Sequence, residues 1–418
     1  MSPARMAIRN VLRYRRRTFI TASAIAFGVA MGVFMNGFIA GSETETTRNL
    51  RDHETGEIKV FARGYFEDRD LLPFDSFIEP DARRAIERAL AGPDSASRDF
   101  SPRVLLTCEL HFAEDFFAVP GSVTATLAAV DPELDARALR VARSVREGRW
   151  LARGDSGIVI GSWLAEDIGA KVGYSVTLEC RGRGGFYQTV DAEIVGIART
   201  DDPVVNRNGV FMDLSYADGI LALDGAVTEY LVRMGNPDRA AREAARLAPL
   251  VAEAGCEAYP WQKVAESTMK LLRGQRGETA IFMFFIVVIA AVGIVNTMLM
   301  AVMERKAEIG TLRALGFGAS RVRALFLAEG LAIGVIGTAM GLAAGLLLNL
   351  YFVVHGMDFS FMLRDTDIGY RVTGVIRSAW DPAGTAQIAL FTLATSALIA
   401  WLPSGRILRQ EVADMLRK

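Results

Sequence analysis

The chain has 418 residues, 51% of them hydrophobic and 23% charged, with a formal net charge of -1. Its mean hydropathy of +0.24 is high beside so ordinary a charged fraction, which points to apolar blocks alternating with water-soluble ones. A balanced charge offers no field for nucleic acid, and three cysteines and three histidines are too few for a disulfide framework or a metal cluster.

Residues 1–18 carry Arg5, Arg9, Arg13, Arg15, Arg16 and Arg17 and no acid. They form a basic N-terminal helix. Residues 19–39 are free of charge and match the roughly 20 apolar residues of a spanning helix. The run exceeds the about 7–15 residues of a signal-peptide core, so a retained first span is expected. The next charge-free run is 280–303, the third span is 324–348 with the single charge Glu329, and the fourth, 386–402, is at the short limit. Basic residues mark the cytoplasmic side. The loop 304–323 holds Arg305, Lys306, Arg313, Arg321 and Arg323, and the tail 403–418 holds Arg406, Arg409, Arg417 and Lys418. The loop 349–385 has more acids than bases. Four spans with both termini inside put every basic segment in the cytoplasm and residues 40–279 outside.

The outer segment reads as mixed α/β. Short β-rich runs at 57–61, 123–130, 175–178, 190–196 and 229–234 are bounded by Gly, Asp or Pro. Residues 80–91 and 237–254 read as helices opened by Pro and Asp. Interleaved strands and helices predict small βαβ layers. They fall in two lobes, one from about 41–125 plus 225–278 and one from 126–224. The predicted class is therefore a membrane α-helical protein of four transmembrane helices with a large α/β extracytoplasmic domain between helices one and two.

The chain contains no phosphate-binding loop, nucleophile elbow, zinc-protease helix or C-x-x-C. His53, His111 and His355 read as ordinary polar residues. Cys108, Cys180 and Cys256 read as small buried residues, with one disulfide as the alternative. No catalytic residue and no cofactor is expected in the chain.

Residues 304–315 form a charged, amphipathic helix between spans two and three, broken by Gly316-Phe317-Gly318. Such a helix either takes a push from a cytosolic partner or lies on headgroups. In the third span Gly330 and Gly334 are four apart, as are Gly337, Gly341 and Gly345. Small residues at that spacing let helices approach closely. Asn36, Asn296 and Glu329 are polar groups in or at the ends of spans and are expected to face protein.

Residues 304–345 resemble the core of the FtsX/MacB-type permeases of ABC transporters, with the pattern ER-x-x-EIG-x-L-x-A-x-G. Here it is Glu304, Arg305, Glu308, Ile309, Gly310, Leu312, Ala314 and Gly316, followed by Glu329 and Gly330. The opening from Ala7 to Arg17 and the closing LPSGRILRQEVADMLR are similar to the family's ends, although Glu411-Val412 stands where a proline is usual. Within the family the chain looks most like the LolC/LolE lipoprotein-releasing branch. Phe34-Met35-Asn36-Gly37-Phe38 resembles its V-M-N-G-F, Ala129 to Glu133 its G-I-D-P strand end, and 157–178 its V-I-L-G unit. The longer hairpin by which one branch member passes lipoprotein to a periplasmic carrier is replaced by the short loop 181–187.

The resemblance implies a non-catalytic subunit of the bacterial inner membrane. Its partners are a cytosolic ABC ATPase dimer that binds ATP and Mg, and a second permease protomer of the same or a sister chain. The cargo is a lipoprotein or another amphipathic molecule, and a periplasmic carrier belongs to the branch. Glu304, Arg305, Glu308, Ile309, Leu312, Arg313 and Gly316 are then candidates for ATPase coupling. Met31, Phe34, Met35 and Phe38, spaced on one helix face, are candidates for an apolar cargo cavity with Phe282, Phe284 and Phe285. The resemblance leaves two other readings open: a MacB-like exporter of periplasmic peptides or small molecules, and an FtsX-like regulator of a cell-wall hydrolase.

Overall fold

The structure is a computed structural model. It describes Arg9, Arg13, residues 15–92 except 74, residues 97–274 except 114, 115 and 118, and residues 318–358 and 375–407. Between 277 and 314 it describes 277, 281, 284, 285, 288, 292, 295, 300, 303, 310, 311, 313 and 314. The chain divides into two compact units. One comprises Met1–Thr44, Leu272–Asp358 and Ile376–Lys418, the other Glu45–Leu271 and Phe359–Val375.

The first unit is helical. Among the described residues three helices are long and apolar enough to cross a membrane: Thr18–Thr55, Ser320–His355 and Pro382–Trp401. The span expected at 280–303 lies mostly outside the described residues. Helix α1 (Arg15–Leu50) is unbroken over 36 residues. At 1.5 Å per residue that is about 54 Å, well beyond an apolar core of about 30 Å, so the helix does not stop where its apolar stretch ends.

Helix α8 (Ala319–His355) runs 37 residues and stops at Gly356, whose φ of 70° suits a residue without Cβ. Helix α9 (Pro382–Ile407) starts earlier than the apolar run it contains. Asp381 opens it: its Oδ1 accepts from the Gly384 N–H at 3.0 Å, and Pro382 takes the first helical position, where no donor is needed. This lengthening relieves the shortness of the 386–402 run.

The second unit is built on one mixed sheet. In chain order its strands are β1 (Ile58–Ala62), β2 (Ser97–Phe112), β3 (Gly121–Val130), β4 (Val145–Gly148), β5 (Ile158–Gly161), β6 (Ser175–Arg181), β7 (Tyr187–Ala198), β8 (Gly209–Asp213), β9 (Glu229–Met234) and β10 (Cys256–Pro260). The spatial order is β10-β1-β9-β2-β3-β8-β5-β7-β4, with β6 between β2 and β7. Of the strands in the 126–224 block, β8, β5, β7 and β4 lie beyond β3, whereas β6 pairs with β2 on the same edge as β9.

The prediction of small βαβ layers needs correction. Only β3·β8 and β5·β7 are parallel among the described pairs, and the rest of the sheet is antiparallel. The long strand β2 carries most of the difference. It pairs with β9 through its first half, with β6 through its second, and with β3 along its other edge. Pro102 within it weakens its strand signal, yet Pro102 sits directly opposite Tyr230.

The helices follow from local chemistry. Helix α2 (Pro80–Ala91) opens on Pro and buries Ile86 and Leu90. Helices α3 (Pro132–Ala138), α5 (Pro203–Asn208) and α6 (Leu214–Leu221) each begin after an Asp. Asp131 accepts from Glu133 and Leu134 N–H, Asp202 from Val204 N–H and Asp213 from Tyr216 N–H, satisfying donors that a helix start leaves unpaired. Helix α4 (Ser162–Ile168) ends on Gly169 with φ 72°. The helix expected at 237–254 is a 3-10 turn, Pro237–Arg239, followed by α7 (Ala240–Ala252), which lies beside α2. The continuous apolar core lines the sheet from Ile58 to Cys256 and includes Leu106, Leu110, Leu127, Leu178 and Ile194.

Candidate functional site

The glycine pattern of α8 is one wall of a helix seam. On α1, Ala22, Ile25, Val29 and Val33 are buried at helical spacing. They meet Gly337, Gly341 and Gly345. A Cβ at Gly337 would lie 2.7 Å from Ile25 Cβ, one at Gly341 2.6 Å from Val29 Cβ, and one at Gly345 2.9 Å from Val33 Cβ. The missing side chains let the two backbones close on each other. Gly334 faces α9 instead, where a Cβ would lie 2.8 Å from Ser396 Cβ. Gly330 is buried one residue after Glu329, which is itself buried. The described contacts of the glycine row are thus between helices of one chain.

At the end of α1's apolar stretch, three helices are pinned by a polar knot. Asn36 Nδ2 donates to Asp381 Oδ2 at 3.0 Å, so one carboxylate both starts α9 and holds α1. The Ala379 N–H donates to Gly37 O at 2.9 Å. Asn349 of α8 donates to Ala379 O at 3.2 Å and accepts from Ser378 Oγ. Gly37 and Gly41, one turn apart, give the segment 377–379 room: a Cβ would lie 2.2 Å from Asn349 Oδ1 and 2.0 Å from Arg377 O respectively. Buried polar groups in such surroundings stay only when paired. The Asn36-Gly37 dipeptide hinted at this contact, but Asn349, Ser378 and Asp381 were not singled out in the sequence. A polar residue near the end of an otherwise apolar span was the available signal for Asn349.

Met31, Phe34, Met35 and Phe38 share the neighbouring face of α1 and are half-buried. The Phe34 ring lies 6.1 Å from Phe38 and 5.0 Å from Phe352 of α8, so this apolar face has a floor on α8. Phe285 is exposed and stands 6.0 Å from Phe284; Phe282 lies outside the described residues. Of the candidate coupling residues only Arg313 is described, half-buried in a helical position. Glu304, Arg305, Glu308, Ile309, Leu312 and Gly316 lie outside the described residues.

Beyond Thr44 the last turns of α1 are bound into the sheet unit. Asn49 Nδ2 donates to Asp201 O at 3.1 Å. Asp52 accepts from Arg233 of β9 at 2.7 Å and lies 3.2 Å from Arg140 Nε, while its carbonyl accepts from Arg140 N–H at 2.8 Å. The π turn Arg51–Thr55 ends on Gly56, with φ 59° and a Cβ position 2.7 Å from Leu231. Glu57 accepts from the Met234 N–H at 2.8 Å. Its burial holds the carboxyl above its ordinary range, against the opposing pull of that hydrogen bond and of Arg233. Lys59 donates to both oxygens of Glu229 at 3.0 and 2.8 Å. Arg103 makes a two-point contact with Asp135 at 2.7 and 2.9 Å, both side chains buried.

A cleft of about 430 Å³ opens where the parallel strands β3 and β8 end, lined by Arg83, Glu87, Asp131, Arg153, Asp213 and Asp218 among others. Its aspartates are engaged as helix caps or turn acceptors. Among the described residues no group of three His, Cys, Asp or Glu is arranged to hold a metal. The turn between β6 and β7 exposes Phe186 (75%) and Tyr187 (69%) and is closed by Arg181 Nε donating to Gly185 O at 2.9 Å.

A long helical unit with a glycine seam, joined by chain to a mixed α/β sheet unit, is the plan of a membrane permease with a large extramembrane domain. The model of the MacB-like periplasmic core domain matches residues 18–250, and that of the FtsX-like permease C-terminal matches residues 280–412. The chain belongs to this family of ABC transporter permeases. The lipoprotein-releasing system transmembrane protein LolC of Neisseria meningitidis is 26% identical over 274 residues, 64% of this chain and 66% of that protein. The macrolide export ATP-binding/permease protein MacB of Escherichia coli is 22% identical over 355 residues, 83% of this chain and 52% of that protein. The crystal structure of the periplasmic region of MacB from Actinobacillus actinomycetemcomitans is 12% identical with a TM-score of 0.37, covering 52% of this chain and 95% of that one.

Proposed function

We propose that this chain is the permease subunit of an inner-membrane ABC transporter that draws lipoproteins out of the outer leaflet. A separate ATPase dimer, which binds ATP and Mg, supplies the work, and a second permease protomer completes the transporter. The observation that carries the reading is the course of α1. One unbroken helix leaves the basic N-terminal end, crosses the glycine seam and ends in turns held by Asn49 and Asp52. A push that reaches α1 within the helical unit is passed to α8 through the close-packed seam. In this scheme Glu304, Arg305, Glu308, Ile309, Leu312, Arg313 and Gly316 receive the ATPase stroke.

Acyl chains cost about 0.8 kcal/mol per CH₂ to bring into water, so release needs an apolar shelter. Met31, Phe34, Met35 and Phe38, with Phe285 and Phe282 of the second span, supply it; Met and Phe adapt to varied apolar shapes. The likeness to LolC favours lipoprotein as cargo, while the likeness to MacB keeps export of periplasmic peptides or small molecules as the rival outcome. The short 181–187 loop argues against carrier capture at that hairpin.

A photo-crosslinking residue at Phe34, in membranes with the ATPase turning over, tests this. Acylated protein captured there supports the proposal. The Glu308→Lys/Leu312→Lys double variant serves as the uncoupled control and should lose the ATP-dependent part of the signal. Repeated capture of protein neighbours alone, with acylated cargo present, overturns it.

A further inference from the structure

Cys108 on β2 and Cys180 on β6 are directly opposite each other in an antiparallel register, with Leu110 opposite Leu178 one pleat further on. Side chains alternate along both strands. Leu106, Cys108 and Leu110 are buried while Thr107 and Glu109 are exposed, and Val176, Leu178 and Cys180 are buried on β6. The two thiols therefore point to the same apolar face of the sheet, 2% and 1% exposed. Directly opposed residues have Cα atoms about 4.5–5.5 Å apart, inside the roughly 4.4–6.8 Å that a disulfide spans. Cys256 has no such neighbour: it is opposite Ala62.

We propose that Cys108 and Cys180 form a cross-strand disulfide that staples the turn end of the β6–β7 hairpin to the central strand β2, leaving Cys256 as the free thiol. This rests on the reading that the sheet unit lies outside the cytoplasm, where disulfides persist. The oxidant is a protein disulfide of that compartment. One cysteine thiolate attacks it, giving a mixed disulfide and one oxidant thiol. The second attacks the mixed disulfide and releases the other. Two chain thiols become one disulfide, the oxidant disulfide becomes a dithiol, and the two protons pass to the oxidant's sulfurs.

The bond forms before the sheet closes. In the folded pair a hydrogen bond with Cys180, and then burial, hold the Cys108 thiol far above the ordinary range, and thiolate is the species that exchanges. The staple sits immediately before Arg181, at the turn that presents Phe186 and Tyr187.

Cells expressing the full chain are quenched in acid, denatured and treated with a polymer-linked maleimide. Without reductant one adduct per chain is expected, and after reduction three. Cys256→Ala changes these to none and two, and Cys108→Ala gives two in both lanes. Trypsin without reduction should yield residues 104–137 joined to 172–181. Three adducts without reductant, or a linkage involving Cys256, overturns the proposal. Compartment is read separately by Ala152→Cys in a background with the three native cysteines replaced by Ala, since Ala152 is exposed. Labelling of intact cells by an impermeant maleimide together with three free native thiols sinks the disulfide alone. Labelling only after lysis removes the topology, and the disulfide with it.

Discussion

Gly341→Leu probes whether the α1–α8 seam is a packed interface or an incidental approach. An ordinary carbon–carbon contact is about 3.5–4.0 Å. The Cβ of any side chain at 341 would start 2.6 Å from Val29 Cβ and 2.7 Å from the backbone oxygen of Ala26. One of those obstacles is backbone, so no rotamer change relieves the clash, and α1 must move away by about 1 Å. A gap of that size forfeits a quarter to a half of each contact well, and it spreads along the seam to Gly337 and Gly345. Overpacking of this kind costs about 1–3 kcal/mol, with the added isobutyl group placing Leu at the upper end. The better helix propensity of Leu returns somewhat under about 1 kcal/mol. The net expectation is about 2 kcal/mol of destabilisation. Ala344→Leu, three positions along α8 on an exposed face, gains nothing and clashes with nothing. Thermal unfolding of the purified permease in detergent should therefore rank wild type and Ala344→Leu together and Gly341→Leu clearly below. Equal midpoints for the two Leu variants would refute a close-packed seam.

The other predictions concern the sheet unit. Asp135→Ala leaves the Arg103 guanidinium buried without its two-point partner, and should cost about 3–5 kcal/mol. The double variant Arg103→Met/Asp135→Leu should recover most of that loss in the same melts; a double variant as unstable as the single would contradict the account. For Glu57 the folded carboxyl titrates above its ordinary 4.5 because burial disfavours the charge. Its contribution is complete below that ordinary value and is lost as pH rises through the folded value. Glu57→Gln keeps an oxygen for the Met234 N–H and removes the titration, so stability measured from pH 4.5 upward should fall less steeply than in wild type. Identical slopes would show that the Arg233 contact, rather than burial, governs this carboxyl.

Apolar blocks and glycine spacing are properties of short windows, and they were legible. The apolar runs at 19–39, 324–348 and 386–402 all lie in helices, and the spacing of Gly337, Gly341 and Gly345 recurs as one seam. What the windows could not show is where a helix continues after its apolar run. Residues 40–50 are polar, and their helix is held by partners such as Asp201 that lie far along the chain. The strand β2 was missed for a similar reason: Pro102 interrupts its pattern, and its stability comes from pairing with three strands that the sequence does not bring near it. The polar knot combines both cases. Asn36 was visible as a polar residue in an apolar span, but its partner Asp381 is 345 positions away and reads locally only as a helix start. The same carboxylate that lengthens α9 also holds α1, so the cost of placing Asn36 in a span is offset by a residue needed for another reason. In the proposed transporter this joins the end of α1's apolar stretch to the last turns of α8 and the start of α9, beside the Met and Phe face. A stroke that reaches α1 would then be shared with α8 and α9 instead of sliding α1 past them.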